Sequence, residues 1–136
     1  MKLIHTADLH LGESRHILPD SYLERQKKML YGILSAMKEN KAQFLVVAGD
    51  IFHKSPPTQD EHTAFIVWLA EVDDYCVAVD GYVILITGNH DQESSEKTSL
   101  DLIRRIKRKF QRVVFSRKPA LQILHNYAFA CIPWNY

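Results

Sequence analysis

Cysteine is almost missing from this sequence, and its scarcity already removes several function classes. The 136 residues hold only Cys76 and Cys131, far apart and without CxxC or Cys/His spacing. That pattern excludes a disulfide framework and a zinc knuckle, and leaves two buried, reduced thiols as the expectation. No apolar run reaches the roughly 18 residues of a membrane span, so no membrane association is expected. A strand-like run begins directly after Met1, leaving no space for the basic and apolar regions of a secretory leader, and the sequence reads as cytoplasmic. Internal repeats, low-complexity tracts and long linkers are lacking too. What is present suits one compact domain or a large piece of one: 46% hydrophobic residues suffice for a core, and 24% charged residues are ordinary for a globular surface.

The formal net charge of +1 conceals an uneven distribution. Residues 104–118 carry Arg104, Arg105, Lys107, Arg108, Lys109, Arg112, Arg117 and Lys118 without one acid, which leaves the remainder at −7. Such a segment can attract a polyanion, because each neutralised phosphate releases counterions. It can equally be the solvated face of an amphipathic helix whose apolar side is Leu102, Ile103, Ile106 and Phe110. Both readings stay open.

Short β-branched or aromatic runs alternate with longer stretches of helical period, the signature of β-α-β units around a parallel sheet. Strands are expected over residues 2–7, 44–48 and 82–87, and helices over 21–40, from 58 onward, and over 98–109. Ser21 with Glu24, and Thr58 with Glu61, have capping-box spacing. Leu23, Leu30, Ile33, Leu34 and Met37 make the apolar stripe of the first helix. Beyond residue 112 the pattern shifts to three short strand candidates, 113–115, 121–124 and 128–132, read as antiparallel pieces with turns near Pro119 and Asn126.

Polar residues follow each of the first three apolar runs: Asp8-Leu9-His10, Gly49-Asp50 and Gly88-Asn89-His90-Asp91. In an open α/β sheet the carboxyl ends of the strands border the ligand crevice, so these loops should converge. Two carboxylates, an imidazole and an amide oxygen form a mixed oxygen/nitrogen donor set suited to Mn²⁺, Fe or Zn²⁺. Asp8 and His10 can turn toward one ion, Asp50 can bridge it to a second, and Asn89 can add a neutral oxygen there. Two such cations clamp a phosphoryl group and activate water. Gly49 and Gly88 keep the backbone small where the loops meet, and His90 is placed to stabilise charge or give a proton to a leaving oxygen.

These blocks, in this order and each after a strand, resemble the calcineurin-like metallophosphoesterase superfamily. The fuller wording, His5-Thr-Ala-Asp8-Leu-His10-Leu-Gly12, Gly49-Asp50-Ile-Phe52-His53 before Pro56-Pro57, and Gly88-Asn-His-Asp91, is similar to the SbcD-type nucleases of double-strand-break repair. The resemblance implies an α/β fold with two face-to-face sheets and helices outside (αββα), and a nuclease cutting DNA phosphodiesters with two divalent metal ions, Mn²⁺ first. It also implies a homodimer bound to a coiled-coil ATPase of the structural-maintenance type. Carried over, Asp8 and His10 would hold one metal, Asp50 would bridge, Asn89 would hold the other, His90 would be catalytic and Asp91 would orient it. His53, Arg104, Arg105 and Arg108 become candidate substrate contacts. The family's later ligands, a lone histidine and a Gly-His-x-His block, are not found, and His125 is no replacement. Residues 1–136 therefore read as the N-terminal part of the nuclease domain, the first half of the sandwich, with incomplete coordination of the second ion.

Two other functions fit the same residues: a phosphoesterase acting on a small molecule or a phosphoprotein, and a catalytically weak DNA- or partner-binding module using residues 104–118. Among the other histidines, His5 is expected as a hydrogen-bonded core residue, and His16 and His62 at the surface. Phe65, Ile66 and Trp68 read as core or dimer contact.

Overall fold

The computed structural model describes residues 1–17, 20–91, 98–106 and 109–134, without the side chains of Ser14 and Arg104. Strands β1 (Leu3–Thr6), β2 (Phe44–Ala48), β3 (Tyr82–Ile86) and β4 (Val113–Ser116) form one parallel sheet in that order. Helices α1 (Tyr22–Asn40), α2 (Gln59–Ala78) and α3 (Asp101–Ile106) make the connections. Because the strand order never reverses, right-handed crossovers lay every helix on the same face. Leu30, Leu34 and Met37 of α1, Phe65, Trp68 and Leu69 of α2 and Ile103 of α3 pack there against Leu45, Val47, Val83 and Leu85.

The opposite face is left for a second sheet, the antiparallel hairpin of β5 (Ala120–Leu124) and β6 (Tyr127–Cys131). Leu124, Phe129 and Cys131 close a smaller core over Phe44 and Ile84. Burial from both sides explains why β2 (FLVVA) and β3 (YVILI) are continuously apolar. The fold is thus α/β, with helices, parallel sheet and antiparallel sheet as successive layers. Among the described residues no helix covers the outer side of the hairpin, where Leu121 and Ile123 are exposed.

Several expectations are corrected. The 113–115 run is not an antiparallel piece: β4 pairs parallel with β3, from Val83↔Val113 to Ile86↔Ser116. The connection after β3 is long enough to return the chain to the starting edge, as parallel pairing demands. Buried Asp73 of α2 fixes that return by accepting the backbone N–H groups of Gln111 and Arg112 at 3.0 and 2.7 Å. Of the expected 98–109, α3 covers Asp101–Ile106, and residues 107 and 108 lie outside the described residues. The Thr58–Glu61 capping box forms, whereas Ser21 makes no side-chain cap and Glu24 pairs with Lys27 instead. His5 is exposed, because β1 is an edge strand that the hairpin does not reach. His62 is half-buried, with Nε2 2.9 Å from the Ser99 carbonyl, while His16 is exposed as expected.

Both thiols are buried and free. Burial in the helix–sheet core pushes the Cys76 thiol up to about 12. The unfolded chain releases this proton first, so Cys76 adds stability that is present below its ordinary value of 9.0 and lost as pH rises toward 12. Native Cys76 is expected to resist a thiol-specific disulfide reagent at pH 8 and to react once urea unfolds the protein; rapid labelling of the native protein would contradict its placement.

Candidate metal centre

The carboxyl ends of β1, β2 and β3 lie side by side, and each hands the chain to one block of polar residues. Asp8, His10 and Asp50 all adopt left-handed backbone, with φ of 54°, 44° and 47°. Such residues cost about 1–2 kcal/mol each and persist where surrounding bonds impose them. Here the loops after β1 and β2 are laced by Asp8 N to Gly49 O at 3.2 Å, His10 N to Asp50 O at 2.9 Å and Leu11 N to Ile51 O at 2.9 Å. The loop after β3 sits equally close. A Cβ on Gly88 would collide with the Asp50 backbone nitrogen and Oδ1, and one on Gly49 would come within 2.9 Å of the Gly88 Cα.

Side chains from these loops converge. His10 Nε2 lies 3.8 Å from Asp8 Oδ1 and 4.0 Å from Asp50 Oδ2, beyond hydrogen-bond range. One donor atom from each of Asp8, His10 and Asp50 falls within 4.8 Å of the other two. The Asn89 amide stands 3.0 Å from both carboxylate oxygens of Asp50. With nitrogen inward it donates to both; with oxygen inward three oxygens converge, an arrangement that needs a cation between them. His10 Nδ1 and Thr87 Oγ1 are buried without a hydrogen-bond partner among the described residues. The donor set therefore fits a divalent cation, and Asp8, Asp50 and Asn89 line a cleft of roughly 320 Å³ together with Thr87, Ile132 and Trp134.

Asp91 has a different place from the one expected. It is wholly buried, and its carboxylate accepts backbone N–H groups from Ile51 at 3.0 Å, Phe52 at 3.1 Å and Gly88 at 2.9 Å. Burial raises its pKa, partly offset by those three donors. Asp91 thus organises loops: among the described residues its carboxylate bonds only backbone N–H groups and makes no bond to the His90 ring. The ring is held by the His53 carbonyl, 2.8 Å from His90 Nδ1. A carbonyl only accepts, so Nδ1 carries the proton and Nε2 of the neutral ring keeps its lone pair. Asp50 completes a reciprocal brace, its Oδ1 accepting the His90 backbone N–H at 3.0 Å. His53 lies against both neighbours, 5.6 Å from His10 and 5.8 Å from His90 between ring centroids, and desolvation by burial holds its imidazole below the ordinary range.

The sequence profile of calcineurin-like phosphoesterases matches residues 1–133. The chain belongs to the calcineurin-like phosphoesterase family. It is 37% identical over 93 residues to the SbcD component of the nuclease SbcCD of Staphylococcus saprophyticus, an alignment covering 68% of this chain and 23% of that protein. The chain thus spans about a quarter of that curated relative. Among solved structures it is similar to the Pseudomonas putida nuclease MPE, at 20% identity and a TM-score of 0.41 over 88% of this chain and 56% of the other.

In this family member the loop after His10 rests on residues that motif reading missed. Gln26 of α1 donates to the His10 carbonyl at 3.1 Å and accepts the Gly12 N–H at 2.9 Å. Glu61 of α2, fully buried, accepts from Arg15 Nε at 3.0 Å, Arg15 Nη2 at 2.8 Å and the Tyr22 hydroxyl at 3.1 Å, besides capping its own helix. A buried ion pair stands only when its remaining polar atoms are satisfied, and Glu61 meets that condition. A signal existed: Gln26 and Glu61 interrupt apolar stripes at helical spacing, Gln26 between Leu23 and Leu30 and Glu61 ahead of Phe65 and Trp68.

The basic segment is less available than its composition implies. Arg112 pairs with Asp80 at 3.0 Å and covers the Tyr82 ring, and Arg117 lies 3.7 Å from Asp101. Arg105 is exposed on α3, while Arg108 and the Arg104 side chain lie outside the described residues. No helix among the described residues is long and apolar enough to cross a membrane.

Proposed function

We propose that this chain is the front part of the catalytic domain of a DNA nuclease that hydrolyses phosphodiester bonds with two divalent metal ions, Mn²⁺ first. The observation that supports it most is the meeting of Asp8, His10, Asp50 and Asn89 at three adjacent strand ends in a member of the phosphoesterase family. Nuclease is favoured over a small-molecule or protein phosphoesterase because the 37%-identical relative bears the name of a nuclease. By the same likeness the protein works in the cytoplasm, in double-strand-break repair or recombination, as a homodimer with a coiled-coil ATPase subunit. Residues beyond this stretch supply the remaining ligands.

Asp8 and His10 would hold one cation, Asp50 would bridge, and Asn89 would hold the second. The chemistry such cations bring is polarisation of the phosphoryl group and activation of water. His90, anchored through Nδ1 on the His53 carbonyl, presents Nε2 for proton exchange with the leaving oxygen. Exposed Arg105, with Arg104 and Arg108, would meet the phosphate backbone, and His53 the substrate rim.

The test is Mn²⁺-dependent cleavage of linear duplex DNA by the full-length protein, compared with a small phosphodiester. His90→Ala is expected to lower turnover about 10²- to 10⁴-fold while leaving Mn²⁺ affinity within a few fold. Hydrolysis of the small diester with duplex DNA ignored would move the assignment to the alternative phosphoesterase. A collapse of metal affinity in His90→Ala would make His90 a ligand.

A further inference from the structure

Beside the carboxylate cluster lies a second set of donors, sharing His10 with it, that the phosphodiesterase reading does not use as a unit. One ring nitrogen from each of His10, His53 and His90 lies within 4.8 Å of the other two. His10 and His90 meet edge to face with centroids 5.1 Å apart, and His53 stands 5.6 and 5.8 Å from them. The Nδ1 atoms of His10 and His53 are buried with no hydrogen-bond partner among the described residues. His90 has the support that metal-binding histidines have, its Nδ1–H spent on a backbone carbonyl so that Nε2 is fixed as the donor atom.

We propose that His10, His53 and His90 form a three-imidazole site for a borderline transition ion, Zn²⁺ foremost, which shares only His10 with the carboxylate-rich set. Three nitrogens plus one open position are a standard zinc environment, and neutral imidazoles without a carboxylate favour Zn²⁺ over Mn²⁺. The geometry is near what zinc needs. Three nitrogens no more than 4.8 Å apart surround a centre at most about 2.8 Å from each, and the zinc–nitrogen bond is about 2.0–2.1 Å, so each ring has at most about 0.7 Å to move inward. A change that small lies within side-chain rotation.

A neutral imidazole has one lone pair, so His10 serves one ion at a time. Zinc in the histidine set therefore withdraws His10 from Asp8 and Asp50 and occupies His90. The inference concerns binding and does not depend on the substrate; only the silencing of hydrolysis that follows from it rests on the proposed function.

Calorimetric titration of the metal-free full-length protein with ZnCl₂ alone and with MnCl₂ alone tests it, with Co²⁺ absorption reporting coordination. His53→Ala is expected to weaken Zn²⁺ about 10²-fold and to remove the strong visible bands of four-coordinate cobalt, while Mn²⁺ affinity moves less than about twofold. His53→Gln, which preserves more of the side chain's bulk, should behave alike, and circular dichroism checks the fold of both. Asp8→Asn is expected to do the reverse, losing Mn²⁺ and keeping Zn²⁺. Zinc affinity unchanged in both His53 variants, or lost equally in Asp8→Asn, would overturn the proposal by placing zinc in the carboxylate set. A wild-type protein that binds Zn²⁺ through His53 but not Mn²⁺ would leave it standing and remove the manganese reading instead.

Discussion

Asp50→Asn is expected to abolish the rise in thermal midpoint that Mn²⁺ gives the wild-type protein, and to slow hydrolysis by about 10³-fold or more. Asp50 occupies the middle of the site: Oδ2 is 4.0 Å from His10 Nε2, both oxygens are 3.0 Å from the Asn89 amide, and Oδ1 receives the His90 N–H. An asparagine oxygen can keep that N–H bond, and asparagine tolerates the left-handed backbone at φ 47° as aspartate does. The substitution thus leaves the loops standing and removes one oxygen donor and one negative charge. Without metal the variant should melt at the wild-type temperature or slightly above it, because a crowded carboxylate has been neutralised. With metal at a hundred times the dissociation constant the wild type gains about 2.7 kcal/mol and the variant nothing. An equal metal-induced shift in both proteins would remove Asp50 from the centre.

The sequence is most readable where position alone carries the information. β2 falls on the expected residues 44–48, and the blocks after β1, β2 and β3 meet as three strand ends of a parallel sheet must. What spacing cannot convey is what a side chain faces after the loops have folded. Asp91 stands next to His90 in sequence, yet its carboxylate turns inward to three backbone donors, while the group that holds the imidazole is a carbonyl, to which residue identity gives no clue. Ser21 has the spacing of a cap but stands at φ −132° and ψ −8°, outside the extended conformation from which a serine oxygen reaches the helix, whereas Thr58 at ψ 161° is inside it. β4 is legible as a strand but its polarity is not, because direction is set by the path of the connection.

Asp91→Ala is expected to lower folding stability by about 3–5 kcal/mol, the largest loss among single substitutions at this site. Three buried N–H groups would lose their acceptor, each worth about 1–3 kcal/mol when stranded, and a small void would be left. Against this stands the desolvation of the carboxylate itself, which burial records as a raised pKa and which alanine relieves. Asp91→Asn should fall between wild type and alanine: its oxygen can still take the Ile51 and Phe52 donors, but its NH₂ group confronts the N–H of Gly88. Urea unfolding followed by circular dichroism measures the series, and a loss below about 1 kcal/mol for alanine, or an asparagine variant weaker than alanine, would contradict this account. Because two of the three severed bonds join the loop of β2 to that of β3, metal affinity should fall together with stability, whereas in Asp50→Asn affinity falls alone; that contrast separates a residue that holds the loops from one that would hold the ion.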